Sequence, residues 1–427
     1  MTDLDNIGLP AREAAAQFLE AALAKRTGLD EAFAGPAARG LEPRDRAFAR
    51  ALVMATLRHL GTIDRALEPK LQRAPPERVK SLLRLGATQL FWMDVPDHAA
   101  VSTMVAIADR VVATRKFKGL INAVLRGLQR DGKPADDPES LPPAWLMARW
   151  QAAFGAPQAR AIAAAIAEEP ATDLSVKAAT DAPALAELLE GEVLAGGSIR
   201  TRKRGDLSEW PAFTEGRWWV QDAGAAIPTR LLAVKPGETA LDLCAAPGGK
   251  TLQLAAAGAA VVAVDRNADR LKRVTENLAR LQLAAEVVTA DARTWNDKRT
   301  FDAVLLDAPC SATGTFRRHP DVLWAAAPGD IASLAEVQTR MLDSAAARVK
   351  PGGRLVYCVC SLEPEEGEGQ VRGFLVRHPE FSLAPVTAGE GGAPAASVSP
   401  EGWLRILPHH LEGGIDGFFA ARMVRKT

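Results

Sequence analysis

The sequence predicts a multidomain protein: an all-α first third, a small α+β insert, and an α/β domain built on a parallel sheet. A chain of 427 residues is too long for one ordinary core. Residues 1–130 carry apolar side chains at helical spacing between prolines. From Gly216 onward, apolar runs of strand length alternate with helical ones, which argues for a sheet covered on both faces.

In the first third, helices are expected over 11–25, 45–60, 76–90, 97–114 and 118–130, with Pro43, Pro69, Pro75, Pro76 and Pro96 falling between them as breakers. Formal net charge is zero for the whole chain, yet residues 1–135 hold 21 Lys+Arg against 15 Asp+Glu. That excess favours a polyanionic partner. Arg115-Lys116-Phe117-Lys118-Gly119, followed by Asn122 and Arg126, is either a solvated helix end or an RNA-phosphate contact. A linker is expected at Lys133-Pro134-Ala135-Asp136-Asp137-Pro138, then a helix over 144–170 with Trp145, Leu146 and Trp150 on one side. The insert mixes strands at 174–177 and 198–201 with a helix at 182–189. It carries a basic patch of Arg200, Arg202, Lys203 and Arg204 that leans toward RNA backbone. The expected divisions are 1–135, 140–215 and 216–427.

The α/β region reads as strands at 240–243, 261–264, 285–289, 301–306 and 353–358. Helices lie at 268–281 and 330–349, the latter with Asp330 as N-cap. Two closing strands, 404–407 and 417–425, follow a flexible loop at 389–396.

The stretch that organises this region is Leu241-Asp242-Leu243-Cys244-Ala245-Ala246-Pro247-Gly248-Gly249-Lys250-Thr251. A strand passes through a Pro-Gly-Gly turn into a helix, so backbone N–H groups face a ligand with no Cβ in the way. A Walker loop fails because its first glycine would fall at Ala245. Asp265 ends the next strand 23 residues after Asp242, a spacing that suits a carboxylate on ribose hydroxyls. A nucleoside ligand without a triphosphate is the better reading.

Ligands of an open α/β sheet sit beyond the carboxyl ends of its strands. That rim is expected to hold Asp242, Asp265, Asp291, Asp307, Cys310 and Cys360. Metal is disfavoured because no CxxC or histidine partner is near. Cys358 and Cys360 are expected to face apart. Cys244 and Cys358 read as inert buried thiols, Cys310 and Cys360 as candidate nucleophiles.

Asp242–Thr251, Asp307-Ala308-Pro309-Cys310-Ser311-Ala312-Thr313-Gly314 and Tyr357-Cys358-Val359-Cys360-Ser361 resemble, in that order, the motifs of the Sun-type RNA (cytosine-5)-methyltransferases. The resemblance extends to Phe213-Thr214-Glu215-Gly216, Gln221-Asp222 and Asp416-Gly417-Phe418-Phe419. Asp45-Arg46 and Asn122-Ala123-Val124-Leu125-Arg126 are similar to the NusB-type RNA-binding domain. The combination implies the bacterial small-subunit rRNA methyltransferase B subgroup, with a NusB-like helical domain and a Rossmann-like catalytic domain that uses S-adenosyl-L-methionine. Departures are Val359 and Cys358 before the fifth-strand cysteine, and Thr172-Asp173-Leu174-Ser175-Val176-Lys177 in the insert.

The resemblance implies methylation of cytosine C5 in 16S rRNA. Cys360 would be the C6 nucleophile, Cys310 would assist product release, and Asp307 and Lys250 would approach the base. Cys244, Ala245, Ala246, Pro247, Gly248, Gly249, Lys250, Asp265, Arg270, Asp291 and Asp307 would surround the cofactor. The residues alone do not choose between the cysteines, since Pro309-Cys310 matches the nucleophile position of DNA cytosine-5 methyltransferases. The rival functions are a non-catalytic RNA-binding ribosome assembly factor, methylation of another RNA such as tRNA, and a small-molecule methyltransferase. Met1-Thr2-Asp3-Leu4-Asp5 lacks a signal-peptide pattern, no run of eighteen apolar residues exists, and four cysteines make no disulfide framework. A cytoplasmic monomer acting without a membrane is expected.

Overall fold

The computed structural model describes residues 8–24, 28–135 and 137–427. Lys25, Asp136 and the first five residues, on which expectations above fall, lie outside them. The chain forms two compact units, one reaching Glu169 and taking in Phe316–Ala325, the other holding Pro170–Thr315 and Ala326–Thr427.

The first unit is helical. Its longer helices are Leu9–Ala24, Pro43–Arg58, Glu77–Phe91, Asp97–Arg110 and Lys118–Asp131. They meet over a core that includes Leu19, Leu52, Leu82, Ile107 and Leu125. Thr56 and Thr88 satisfy each other inside it, oxygen to oxygen at 2.8 Å. The helix expected over 45–60 stops at Arg58, and a separate one, Leu60–Leu67, follows. That expected over 97–114 breaks where Val111 turns extended. That over 144–170 divides at Gly155, whose φ of 81° suits glycine, into Ala144–Phe154 and Ala156–Ala164.

Packing also redraws the expected divisions. Helix Ala144–Phe154 belongs with the first unit, its Trp150 ring 5.9 Å from that of Phe316. Arg58 donates to the carbonyls of Ile166, Glu168 and Arg317, which ties 166–168 and 317 to the same unit.

The second unit opens with a four-stranded antiparallel sheet of β1 (Thr172–Val176), β2 (Gly191–Val193), β3 (Ile199–Thr201) and β4 (Trp218–Val220), in the order β2-β3-β1-β4. Leu174, Leu185, Ile199 and Trp218 form its own core. Here the basic patch is corrected. Arg200 is buried and makes a bidentate pair with Asp173, at 2.8 and 2.9 Å, so it is a structural cation rather than an RNA contact. Lys203 pairs with Glu190, while Arg202 stays exposed.

The main sheet contains β5 (Thr239–Leu243), β6 (Ala260–Asp265), β7 (Glu286–Thr289), β8 (Phe301–Asp307), β9 (Val349–Val359), β10 (Phe381–Leu383), β11 (Leu404–Ile406) and β12 (Phe418–Arg425). Its order is β10-β12-β9-β8-β5-β6-β7, with β11 on β12. Strands β5 to β9 run parallel and β10 to β12 antiparallel, so the sheet is mixed rather than wholly parallel. Alternation along β5 sends Leu241 and Leu243 to one core and Ala240 to the other, as two covered faces require. The chain moves one way from β5 through β6 to β7 and returns to β8 on β5's other side, which makes a switch point above β5 and β8.

Two local expectations change. Asp330 is not the N-cap of its helix, which runs Pro328–Ala346 behind Ala327; it sits in the first turn and accepts from the Ala327 amide. The stretch 389–396 is not a loose loop, for it forms the short turns Glu390–Gly392 and Ala395–Ser397 and is held by a Glu390–Arg422 ion pair.

Candidate active site

Strand β5 feeds the loop at the switch point. Cys244 takes a left-handed φ of 64°, an uncommon conformation for a side-chain-bearing residue. The buried carboxylate of Asp265, at the end of β6, accepts from the amides of Ala246 (3.1 Å) and Asn267 (2.9 Å) and so fixes the turn. Arg270 donates to the Ala246 carbonyl at 2.7 Å. Gly248 has φ 110°, and a Cβ there would lie 3.2 Å from the Val274 side chain, so the turn admits no larger residue without displacement. Helix Gly249–Ala256 follows.

Beside this turn opens a cleft lined by Cys244, Asp265, Arg270, Asp291, Val337 and Met341. Arg293 grips Asp291 and holds its carboxyl down at about 2. Two carboxylates, backbone groups and apolar walls form a donor set that fits a nucleoside such as S-adenosylmethionine. Ala245, Ala246, Pro247, Gly248 and Gly249 shape the turn, with Ala245 and Ala246 buried and Pro247 exposed. Arg293, Val337 and Met341 were missed: the first looked like a surface cation, and the other two carry the apolar periodicity of any packed helix.

Asp242 does not stand on the rim. It is fully buried inside β5, accepts the Thr251 hydroxyl at 2.6 Å, and burial pushes its carboxyl up to about 7. Lys250, on the first turn of the helix, reaches Asp307 at the end of β8, 2.8 Å away, with the Phe418 ring centroid 5.1 Å off. Burial, the largest single influence, opposes the ammonium, but Asp307 together with the neighbouring Cys358 and Cys360 outweighs it and the Lys250 pKa rises.

The loops after β8 and β9 bring the sulfurs of Cys310 and Cys360 to 3.5 Å. Hydrogen bonding to Cys360, reinforced by burial, pushes the Cys310 thiol well above its ordinary value. Cys358 and Cys360 share a face, because the strand period of two returns residue i+2 to the side of residue i; both pack against the same core. Cys358 is buried, its sulfur 3.5 Å from Asp307, and burial drives its pKa up; burial does the same to Cys244.

A buried carboxylate ties the two cysteine loops together. Glu366 accepts from the Ser311 amide and Gln338 Nε2, both at 3.0 Å, and from the hydroxyls of Ser311 and Ser361. Tyr357, the chain's one tyrosine, donates to the Glu366 carbonyl. The Gly314 amide donates to the Cys360 carbonyl (3.0 Å) and its own carbonyl accepts from Gly417 (2.8 Å). The backbones are so close that a Cβ on Gly314 would lie 2.1 Å from the Gly417 oxygen. Nothing in the sequence singles out Glu366, since acids in a polar loop look like solvated surface.

A doubly wound sheet, a glycine turn at its switch point and a strand-end acid beside a nucleoside-shaped cleft define the class of S-adenosylmethionine-dependent methyltransferases. Residues 229–424 match the family model described as 16S rRNA methyltransferase RsmB/F, and residues 9–130 match that of the NusB family. The chain is 36% identical over 439 residues to the ribosomal RNA small subunit methyltransferase B of Cronobacter sakazakii, covering 97% of this chain and 98% of that protein. It is 39% identical over 411 residues to that of Sodalis glossinidius, covering 91% of each. Among solved structures, PH0851 superposes with a TM-score of 0.77 at 25% identity, over 96% of this chain and 98% of the other. The chain therefore belongs to the small-subunit ribosomal RNA methyltransferase B family, and it is an S-adenosylmethionine-dependent rRNA methyltransferase. Among the described residues, no helix is long and apolar enough to cross a membrane.

Proposed function

We propose that the protein methylates C5 of a cytosine in 16S rRNA through a covalent bond between Cys360 and C6 of the base. The supporting observation is the sulfur pair of Cys310 and Cys360, 3.5 Å apart, on a rim shared with Lys250 and Asp307. C5 of cytosine is a weak nucleophile. A thiolate adding at C6 breaks the ring conjugation and leaves C5 enamine-like. Cys244, Asp265 and Asp291 would hold S-adenosylmethionine, which would supply the electrophilic methyl group to C5 as its S–CH3 bond breaks and would leave as S-adenosylhomocysteine. Loss of the C5 proton then re-forms the C5–C6 double bond, the C6–S bond breaks, and the electron pair returns to Cys360.

An ordinary thiol, with a pKa of about 8.5, is only a few per cent thiolate at neutral pH. Lys250 brings a protonated amine to the rim that carries Cys360, held there by its pairing with Asp307. Asp307 would hold the cytosine N3/N4 edge once the base displaces part of its present pairing with Lys250. Cys310 takes the release step. The base must first leave its stack, at a cost of about a few kcal/mol. We read the enzyme as a cytoplasmic monomer.

The test is trapping. RNA should remain covalently bound to Cys310→Ala and not to Cys360→Ala; the reverse would exchange the two roles. Incubation with labelled S-adenosylmethionine and rRNA, tRNA or DNA fixes the substrate, and product in none of them would favour a non-catalytic assembly factor.

A further inference from the structure

The small sheet has two faces. Leu174 and Trp218 turn to its own core, whereas Ser175 and Trp219, which are paired in register, turn to helices Ala223–Leu232 and Gly249–Ala256 of the catalytic domain. Closure on that second face is incomplete. A cleft of about 380 Å³ remains, lined by Ser175, Lys177, Gly196, Trp219, Thr229 and Arg230. It lies at the far ends of both helices, beside Ala233 and Ala257, whereas Gly249 opens its helix at the catalytic rim. An eight-residue helix at about 1.5 Å per residue separates the two places by about 12 Å.

The polar groups of this cleft are donors with nothing anionic to receive them. Arg230 gives hydrogen bonds to Ser198 Oγ (2.7 Å) and the Gly391 carbonyl (3.3 Å), both neutral, and no carboxylate pairs with it among the described residues. Burial lowers its pKa to about 10. The Lys177 ammonium makes no ion pair among the described residues. The hydroxyls of Ser175 and Thr229 are buried without a partner, in residues only 3% and 6% exposed. Buried polar groups are normally paired, and a buried cation without a counter-charge is costly. Gly196, at φ 83°, keeps the approach to the guanidinium open, because a Cβ there would lie 2.5 Å from Arg230 Nη1.

We propose that this cleft is a phosphate-binding subsite that takes a backbone phosphate of the RNA substrate between Lys177 and Arg230, with the Ser175 and Thr229 hydroxyls as further donors. The Trp219 and Leu254 side of the cleft gives the adjoining sugar an apolar surface. The inference rests on RNA being the substrate, and a free nucleotide carries the same phosphate chemistry.

Lys177→Gln and Thr229→Val test it in the full-length protein. Thr229→Val keeps the shape and removes one unpartnered hydroxyl, so both variants should melt at the wild-type temperature without ligand. Inorganic phosphate should raise the melting temperature of the wild type and shift neither variant. In RNA binding, the slope of log affinity against log salt should shrink by about 0.7–0.9 for Lys177→Gln, the value of one phosphate contact. A wild type indifferent to phosphate, or variants that respond as it does, overturns the site. Loss of the phosphate response with an unchanged RNA slope overturns the RNA assignment and leaves a free-nucleotide site, checked with cytidine monophosphate. Methyl transfer to RNA is followed in parallel; if that succeeds while the slope stays fixed, only this inference fails.

Discussion

Replacing Glu366 by glutamine and by alanine separates two effects of the carboxylate that links the cysteine loops. Its Oε1 receives two N–H groups, from Ser311 and Gln338, and its Oε2 receives the hydroxyls of Ser311 and Ser361. Glutamine keeps Oε1 for the N–H donors, which cannot reverse, and offers an amide to the hydroxyls, which can turn and accept. Only charge assistance is lost, at about 1–2 kcal/mol. Alanine strands two buried N–H donors at about 1–3 kcal/mol each and leaves a cavity, so about 4 kcal/mol or more is expected. Ser311 and Ser361 directly follow Cys310 and Cys360, so alanine should also separate the sulfurs and lower the yield of trapped RNA complex, which glutamine should largely preserve. Urea midpoints at unchanged m-value, together with the adduct yield in a Cys310→Ala background, measure both effects. Glutamine as destabilising as alanine, or alanine costing less than about 1 kcal/mol, would refute the reasoning.

Gly314→Ala places a methyl against the Gly417 oxygen and should cost about 2–3 kcal/mol, with turnover falling as the Cys360 loop shifts; thermal melting and methyl transfer check it. Asp242 has its folded pKa raised to about 7, so its stabilisation is present at low pH and fades as pH climbs from about 4 to 7, by about 1.4 kcal/mol per unit and about 4 kcal/mol in all. Asp242→Asn should flatten that part of the stability–pH curve, and parallel slopes for the two proteins would contradict the assignment. Arg200→Ala leaves Asp173 buried without its bidentate partner and should lower stability by about 3–5 kcal/mol while the salt slope of RNA binding stays the same; a changed slope at unchanged stability would restore the RNA role.

The parallel strands could be read because most are apolar runs of strand length, two of them, β6 and β8, ending in an acid, and the glycine turn could be read because its chemistry is local. Strand β2 was not found: it is three residues long and largely exposed, so it carries no alternating pattern. Strand β4 is as short, and its Trp-Trp-Val reads equally well as part of any core. Arg200 was read with the basic patch as leaning toward RNA backbone because its partner lies 27 residues away on a neighbouring strand, a pairing only the register reveals. The cysteine pair sits between these cases. Strand-end position marked both residues as candidates, but their meeting depends on two loops 50 residues apart, and the order of their roles came from resemblance alone. Glu366 shows the limit most clearly, since burial of a loop carboxylate is decided by what packs over it.

Tyr357 carries the only phenol in the chain, and its hydroxyl is sealed against the loop that follows Cys360. Fluorotyrosine incorporation would therefore yield a single fluorine resonance reporting from within the catalytic centre, with no assignment problem. The same ring, its ionisation pushed far up by burial, should resist alkaline titration until the rim opens. Tyrosinate absorbance would thus time local opening of this region apart from the nine tryptophans that dominate the emission of the rest.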